Sequence, residues 1–503
     1  MKALMQDVPL TIDLVLERCR SVGRQVEVVS ITPAGTDRRT WSEVGERASR
    51  LAGVLDALGV APGGRIATFA WNSHRHVELF FGVPAAGRVV HGVNVRLSDE
   101  EIVYQLRHAD DDVLFVDASL TERLAPLRGL LPVRDVVVMD DGAEVHRAFA
   151  RSPLYEDLLQ SVTDEVEVPR IDPDDAAWIC YTSGTTGHPK GVVALHRAAV
   201  LHSMSQMTVD SHAICRADVL LTVTPLFHVN AWGLPYTAAM AGSKLVLPGA
   251  NVSGDALGAL IAAEDVTVAA AVPTVWIDLL GEAGAVHDLS SLRRVLCGGA
   301  PAPRTLLDEV SRRGLVFCKV WGMTEMMPSG TMQHVLPDTN LDSAGNAITV
   351  VGRPTPGVQL RLVGEDGRGL PWDNLAVGEL QARGPWVVNA YLDPDDDSNT
   401  SRFDEGWLRT GDLARISPDG LVEIVDRIKD VIKSGGEWIS TLALEQALSA
   451  HPQVREAAVV GVPDPYWGER PAAVIGPRPE PAPASTSSGR SWWIGCPSGG
   501  CPR

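Results

Sequence analysis

The densest chemistry in the chain lies in eleven residues, Tyr181-Thr-Ser-Gly-Thr-Thr-Gly-His-Pro-Lys-Gly191. Gly184 and Gly187 free the backbone so that its N–H groups can converge on an anion. Thr182, Ser183, Thr185 and Thr186 add hydroxyl donors, and Lys190 adds a positive charge. Such a tip suits phosphate. It is not the P-loop of nucleoside triphosphatases, in which Gly-Lys-Ser/Thr opens a helix: Lys190 follows Pro189 and precedes Gly191 and two valines. A Gly/Thr turn alone would be a polar hairpin; the ordered eleven-residue pattern argues for a binding loop.

The loop needs rigid flanks, and the sequence supplies them. AAWICYT before it and GVVAL after it read as buried strands. Upstream, SRLAGVLDALGV is an apolar stripe at helical spacing that ends at Gly59, and RIATFAW is the next strand. Ser98 and Glu101 form a capping box that opens the helix EIVYQLRHAD, followed by the strand DVLFVD. This alternation predicts an α/β architecture with a largely parallel sheet. Residues 141 to 175 are more polar and read as a connector into a second α/β unit. From about 350, short apolar runs split by Gly and Pro predict a small β-rich subdomain. From 476 onward Pro, Ser and Gly dominate, a composition that predicts disorder.

The 503 residues carry a formal charge of −19, which argues against nucleic acid as a partner. It also means that a site for anionic substrates must be locally positive against the global field. Hydrophobic residues make up 45% and charged residues 21%, as in an ordinary globular protein. No apolar run is long enough to span a bilayer, and the N-terminus lacks a secretory pattern. Of the seven cysteines, five are scattered with no metal-ligand spacing, most of them in apolar runs where a buried free thiol is expected, and Cys496 and Cys501 lie in the tail; a reducing, cytoplasmic setting is expected.

YTSGTTGHPKGV is similar to the phosphate-binding signature of the adenylate-forming superfamily: acyl- and aryl-CoA synthetases, luciferases and peptide-synthetase adenylation domains. Further segments agree in the same order. Cys297-Gly298-Gly299-Ala300-Pro301 resembles the stretch whose backbone lies against adenosine and the acyl group. Trp321-Gly322-Met323-Thr324-Glu325 resembles the adenine loop, in which the aromatic stacks on adenine, Thr324 donates to the α-phosphate and Glu325 holds Mg²⁺. Many relatives carry Tyr where this chain has Trp321. Thr410-Gly411-Asp412, which ends a strand-like run, and Arg427 resemble the ribose contacts; Lys429 matches the hinge.

The resemblance covers residues from about 8 to 475. It implies a large N-terminal domain, 1–425, of two α/β subdomains plus the β-rich one. A hinge and an incomplete α+β C-terminal domain, 426–475, follow, and then a non-homologous tail, 476–503. It implies ATP and coenzyme A as substrates, with Mg²⁺. The acid attacks the α-phosphorus, pyrophosphate leaves, and the thiol then takes the acyl group from AMP. Catalysis falls to Thr182, Lys190, His228, Thr324, Glu325 and Lys433. The partners implied are small molecules, with a homodimer left open.

Pro225-Leu-Phe-His228-Val-Asn-Ala-Trp232-Gly233 contains no acid, so nothing there would pair with an α-amino group. The segment is similar to bacterial medium- and long-chain fatty acyl-CoA synthetases, in which the tryptophan lies in the acyl tunnel. His228, Trp232, Gly298 and Trp438 are therefore expected on the acyl and CoA path. Relatives with the same HVNAWG stretch act on short thioether acids, and an aryl acid is a further alternative. The C-terminal match stops at Ile475, no lysine follows Lys433, and the last 28 residues read like a shifted frame of GC-rich coding sequence. In this superfamily a late lysine bridges acid and phosphate during adenylation. Its absence raises an alternative of another class, a nucleotide- or acyl-adenylate-binding protein with impaired catalysis.

Overall fold

The computed structural model describes residues 4–162, 170–182, 188–281, 286–341, 349–434, 437–449, 451, 453–477 and 492–495. The α/β alternation read from the sequence is present. One sheet has six strands in the order Asp135–Met139, Val113–Asp117, Arg65–Phe69, Val89–Gly92, Ala176–Tyr181 and Gly191–Leu195. Its first five are parallel and the last is antiparallel. Every residue of Val113–Asp117 is buried, as expected for a parallel sheet covered on both faces. The helix Trp41–Ala57 begins in a reciprocal capping box of Thr40 and Glu43, and Gly59 at φ +67° turns the chain out of it. It packs so closely on the helix His74–Ala85 that a Cβ on Gly82 would overlap the Ala48 carbonyl. The expected capping box of Ser98 and Glu101 is formed at the helix Asp99–His108.

The second sheet is larger and departs from expectation in two ways. Its parallel part contains Lys244–Leu247, Val219–Thr222, Val268–Ala271, Arg294–Gly298 and Val316–Trp321. The early strand Glu27–Thr32 crosses over to pair with Lys244–Leu247, so the N-terminus belongs to this sheet. The β-rich region from 350 does not stand apart. Val350–Pro354 pairs with Thr331–Val335 on one side and Val422–Arg427 on the other, which makes the β-rich strands an edgewise continuation of the same sheet. Phe81 stacks between Trp41 and Tyr236, at centroid distances of 6.0 and 4.9 Å, and ties the helices to this half of the molecule.

The boundary expected at 425/426 falls inside the strand Val422–Arg427, which continues to Arg427. Beyond it, Ile432–Ser434, Glu437–Ile439, Val454–Asp464 and Gly468–Pro477 form a third, antiparallel sheet with the helix Thr441–Ser449. Of the tail expected to be disordered, Gly476 and Pro477 extend the last of these strands, and Trp492–Gly495 pairs with Ala472–Ile475. Among the described residues the cysteines are free, with Cys19, Cys180, Cys297 and Cys318 buried. No helix among them is long and apolar enough to cross a membrane.

Candidate active site

Four chain segments leave the carboxyl ends of their strands towards one place: Thr182 after Ala176–Tyr181, Pro225–Gly233 after Val219–Thr222, Gly299–Pro301 after Arg294–Gly298, and Gly322–Glu325 after Val316–Trp321. Open α/β sheets bind ligands at such edges. A cleft of about 670 Å³ lies there, lined by Thr182, Lys190, His228, Trp232, Gly298, Gly299, Gly322, Met323, Thr324, Glu325, Arg427 and Lys429. A second cavity of about 670 Å³ adjoins it. Gly299, Ala300, Pro301, Trp321, Asp412 and Arg427 line its near wall, and Thr441, Glu445 and Val459 of the C-terminal lobe close the far wall. Ser183, Gly184, Thr185, Thr186 and Gly187 lie outside the described residues.

Thr182 and Lys190, on either side of the Gly/Thr-rich segment, are tied to each other by hydrogen bonds. Thr182 N–H donates to the Lys190 carbonyl at 2.9 Å, and Lys190 N–H to Thr182 Oγ1 at 3.4 Å. Lys190 Nζ lies 3.1 Å from Asp396 Oδ1 and 5.2 Å from the centre of the Tyr391 ring. In the Gly322–Glu325 segment a side chain on Gly322 would overlap the Pro328 carbonyl, so only glycine fits. The loop thereby folds back and points Thr324 and Glu325, both buried, at the cleft. Glu325 Oε1 accepts from the Tyr391 hydroxyl at 2.7 Å and lies 3.7 Å from the Arg402 guanidinium. Lys190, Arg402, Arg409, Arg427 and Lys429 line this cleft against two carboxylates, Glu325 and Glu379. A cation-rich pocket in a chain of charge −19 is what anionic substrates require.

Trp321 Nε1 donates to Asp412 Oδ2 at 2.9 Å, and Arg427 Nε lies 3.5 Å from Oδ1 of the same carboxylate. A tyrosine has no N–H on its ring edge, so the departure at 321 fixes the plane of the aromatic directly to Asp412. Burial raises the Asp412 pKa, against the pull of Trp321 and Arg427. Thr410-Gly411-Asp412 does not end its strand, as the sequence suggested. It sits within Trp407–Ile416, where Gly411 at φ +76° and a register shift after Leu413 turn Asp412 towards Trp321.

At the opposite end, Val229, Asn230, Ala231 and Trp232 all have φ between 41° and 57°, and Gly233 follows at 72°. Each such non-glycine residue costs roughly 1–2 kcal/mol. Val229 N–H donates to Cys180 Sγ at 3.1 Å, Ala231 N–H to the Pro225 carbonyl at 3.0 Å, and Gln206 Nε2 to the Trp232 carbonyl at 2.9 Å. The turn sets the Trp232 indole over Gly298, where a Cβ would come within 3.3 Å of the ring and 2.7 Å of the Val320 carbonyl. His228 is exposed to the cleft and backed by protein on its other side. Desolvation holds its pKa below the ordinary imidazole value, so at pH 7 it is neutral and can offer a carboxylate a hydrogen bond rather than a charge.

Two expected residues are not brought into this assembly. Lys433 Nζ lies 3.6 Å from Glu365 and 5.3 Å from the Trp438 ring centre, and neither Lys433 nor Trp438 lines either cavity. Sequence reasoning in turn missed Tyr391, Asp396, Arg402, Cys180 and Gln206. Tyr391 and Arg402 flank an Asp-rich run that reads as a solvated loop, and Gln206 reads as an ordinary helical residue.

The AMP-binding enzyme family matches residues 17–392, and the AMP-binding enzyme C-terminal domain matches 443–488, continuing past Ile475. The chain belongs to the AMP-binding enzyme family. It is 44% identical over 485 residues to a long-chain-fatty-acid–CoA ligase of Thermus thermophilus, covering 95% of this chain and 88% of that one. It is 41% identical over 480 residues to a 3-methylmercaptopropionyl-CoA ligase of Ruegeria lacuscaerulensis, covering 93% and 88%. Among solved structures, the anthranilate CoA ligase AuaEII in complex with anthranoyl-AMP superimposes with a TM-score of 0.83 at 25% identity, covering 96% of this chain and 90% of that one. The chain's curated relatives are CoA ligases, which makes it an acid–thiol ligase, and ATP and coenzyme A fit as its substrates.

Proposed function

We propose that this AMP-binding enzyme activates a medium- to long-chain fatty acid as its adenylate and then transfers the acyl group to coenzyme A. The observation that carries the choice of acid is the wall of the cleft's far end. His228, Val229, Trp232, Gly298 and Val320 line it, and no acidic residue occurs in Pro225–Gly233. An aliphatic tail fits such a wall and a charged amino group does not.

In the first half-reaction a carboxylate oxygen attacks the α-phosphorus, and the bond to the bridging oxygen breaks with pyrophosphate as leaving group. The protein's part is positioning and charge stabilisation. Trp321 offers its face to adenine, Asp412 and Arg427 address the ribose, and Thr182, Lys190 and Thr324 address phosphoryl oxygens. His228 donates to the acid. Mg²⁺ characteristically takes one or two protein carboxylates and completes its shell with phosphate and water. The single buried carboxylate of Glu325 at the cleft fits that pattern, and the ion would supply neutralisation of phosphate charge. In the second half-reaction the thiolate attacks the acyl carbon and AMP leaves. Rotation about Lys429 would bring Lys433 and Trp438 to the cleft, a hinge movement that accounts for their distance from it here.

The test is pyrophosphate release with ATP, Mg²⁺ and a panel of octanoate, palmitate, methylmercaptopropionate, benzoate and amino acids, followed by CoA-ester formation. Turnover restricted to aryl or amino acids would overturn the proposal. A second reading is nucleotide binding with impaired adenylation. Tight AMP binding without pyrophosphate release from any acid would favour it.

A further inference from the structure

Behind the left-handed turn lies a closed set of polar side chains that the two half-reactions leave without a role. Gln206, His212 and Thr237 are each fully buried. The Gln206 amide has a partner for each of its groups. Nε2 donates to the Trp232 carbonyl at 2.9 Å and lies 3.3 Å from His212 Nε2, while Oε1 accepts from Thr237 Oγ1 at 2.5 Å. Thr237 Oγ1 also lies 3.2 Å from the Gly233 carbonyl, the next link of the same turn.

These contacts fix which way the amide faces. Burial pushes the His212 pKa down to about 3, so the ring is neutral, with one N–H and one lone pair. Its Nδ1 lies 3.1 Å from Ser211 Oγ and can donate there, which leaves Nε2 to accept from Gln206. A reversed amide would set its oxygen against the Trp232 carbonyl oxygen and against the His212 lone pair, and both contacts repel.

We propose that Gln206 is a positioning residue for acyl-chain selection. By gripping the Trp232 carbonyl it holds the strained turn, and the turn in turn holds the indole against Gly298 at the end of the acyl path. The inference rests on the reading of Trp232 as part of the acyl wall. Three observations support it independently. Four consecutive non-glycine residues occupy the left-handed region, which unsupported backbone does not sustain. No polar group of Gln206 is spare. Gly233, at φ +72°, packs so tightly on His202 that a Cβ would fall 2.8 Å from its Nδ1, so the turn cannot shift back into the helix behind it.

The experiment compares kcat/KM for octanoate and palmitate, together with AMP affinity, in wild type, Gln206→Glu, Thr237→Val, Trp232→Ala and the Gln206→Glu/Trp232→Ala double variant. Gln206→Glu keeps the volume and leaves at most one O–H in place of the two amide N–H donors, so the Trp232 carbonyl and His212 can no longer both be served; Thr237→Val keeps the shape and removes the hydroxyl that orients the amide. The octanoate-to-palmitate ratio is expected to move about tenfold in Gln206→Glu and about threefold in the same direction in Thr237→Val, with AMP affinity unchanged. In the Trp232→Ala background Gln206→Glu is expected to leave the ratio where Trp232→Ala put it, because no indole remains to be placed. A merely structural glutamine would lower turnover equally for both acids, in either background, and that result overturns the inference. If Gln206→Glu fails to fold, Thr237→Val decides, and a wild-type ratio there overturns it. If Trp232→Ala itself leaves the ratio unmoved, the acyl-wall reading fails and this inference falls with it. If Trp232→Ala moves the ratio and Gln206→Glu does not, only the inference falls.

Discussion

At the end of the cleft proposed for the nucleotide, the side chains assigned to it stand on strands of the sheet or directly after them. Trp321 closes Val316–Trp321, Asp412 and Arg427 face each other across paired strands, and of the left-handed positions there Gly299 and Gly411 are glycines while Met327, at φ 57°, is the single exception among the described residues. At the end proposed for the acyl group the same cleft is bounded by a turn of four non-glycine residues in left-handed conformation, of which Val229 and Trp232 line it, gripped by Cys180 and Gln206 from separate segments. One end stores little strain and presents charge; the other stores several kcal/mol of strain and presents shape. Substitutions at the nucleotide end should therefore slow every acid alike, and substitutions at the acyl end should change the choice among acids.

The largest effect is expected at Glu325. Glu325→Gln keeps the volume and removes the charge that suits Mg²⁺, and pyrophosphate release should fall on the order of 10²- to 10³-fold. The octanoate-to-palmitate ratio should stay fixed. A change in that ratio would break the distinction between the two ends.

Acid should discriminate the ends next. His202 and His212 lie behind the acyl turn, and burial pushes each pKa down to about 3. Below the ordinary imidazole pKa the unfolded chain binds a proton at each ring and the folded chain does not. Stability is thus full above about pH 6.5 and is lost as the pH falls towards 3, by roughly 1.4 kcal/mol per pH unit for each ring. Asp117, raised to about 8 by burial, acts in the opposite sense because the folded state keeps its proton. A comparison with His212→Asn isolates one ring. Denaturant melts at pH 6.0 and 5.0 should show a pH slope shallower by about one proton in the variant, and identical slopes would refute the assignment.

Trp232→Ala removes the indole from the wall. Acid selectivity should shift about tenfold, with nucleotide affinity unchanged. Equal loss across all acids, or a change confined to nucleotide affinity, would place Trp232 outside the acyl path.

The same contrast decides what is legible in the sequence. Tyr181–Gly191 and Trp321–Glu325 are contiguous, and their chemistry sits in the residue types themselves, so the proposal that they bind phosphate can be made from the residues alone. The helix at 99–108 is legible because Ser98 and Glu101 cap it locally. His-Val-Asn-Ala-Trp-Gly has one glycine, and no propensity predicts four left-handed residues before it; the turn exists because tertiary contacts from 180 and 206 impose it. Tyr391 reaches Glu325 across 66 residues of chain, from beside a run of aspartates, a pairing that no local pattern encodes. Thr410–Asp412 reads as a strand end because Gly usually stops strands, whereas here it bends one that continues.

The smallest effect is expected at Asp396, and it tests how finely the nucleotide end is balanced. Lys190 and Asp396 form an ion pair at 3.1 Å with side chains 23% and 25% exposed, so the pair is worth about 1 kcal/mol or less. To face a phosphate, Lys190 must give up this partner. Asp396→Asn removes the competing charge, while its Oδ1 still accepts from Ser398 N–H and Oγ, contacts of 2.8 and 2.6 Å that shape the loop. Lys190 is then free for the nucleotide, and the Kd for ATP should fall about two- to threefold. AMP, which lacks the phosphates beyond the α position, should bind as before. The gain should shrink with added salt, since both side chains are within reach of solvent ions. Titrations of ATP and AMP at two ionic strengths would check it. Weaker ATP binding in Asp396→Asn would mean that Asp396 orients Lys190 towards the phosphates rather than competing with them, and the nucleotide end would then depend on positioned support as the acyl end does.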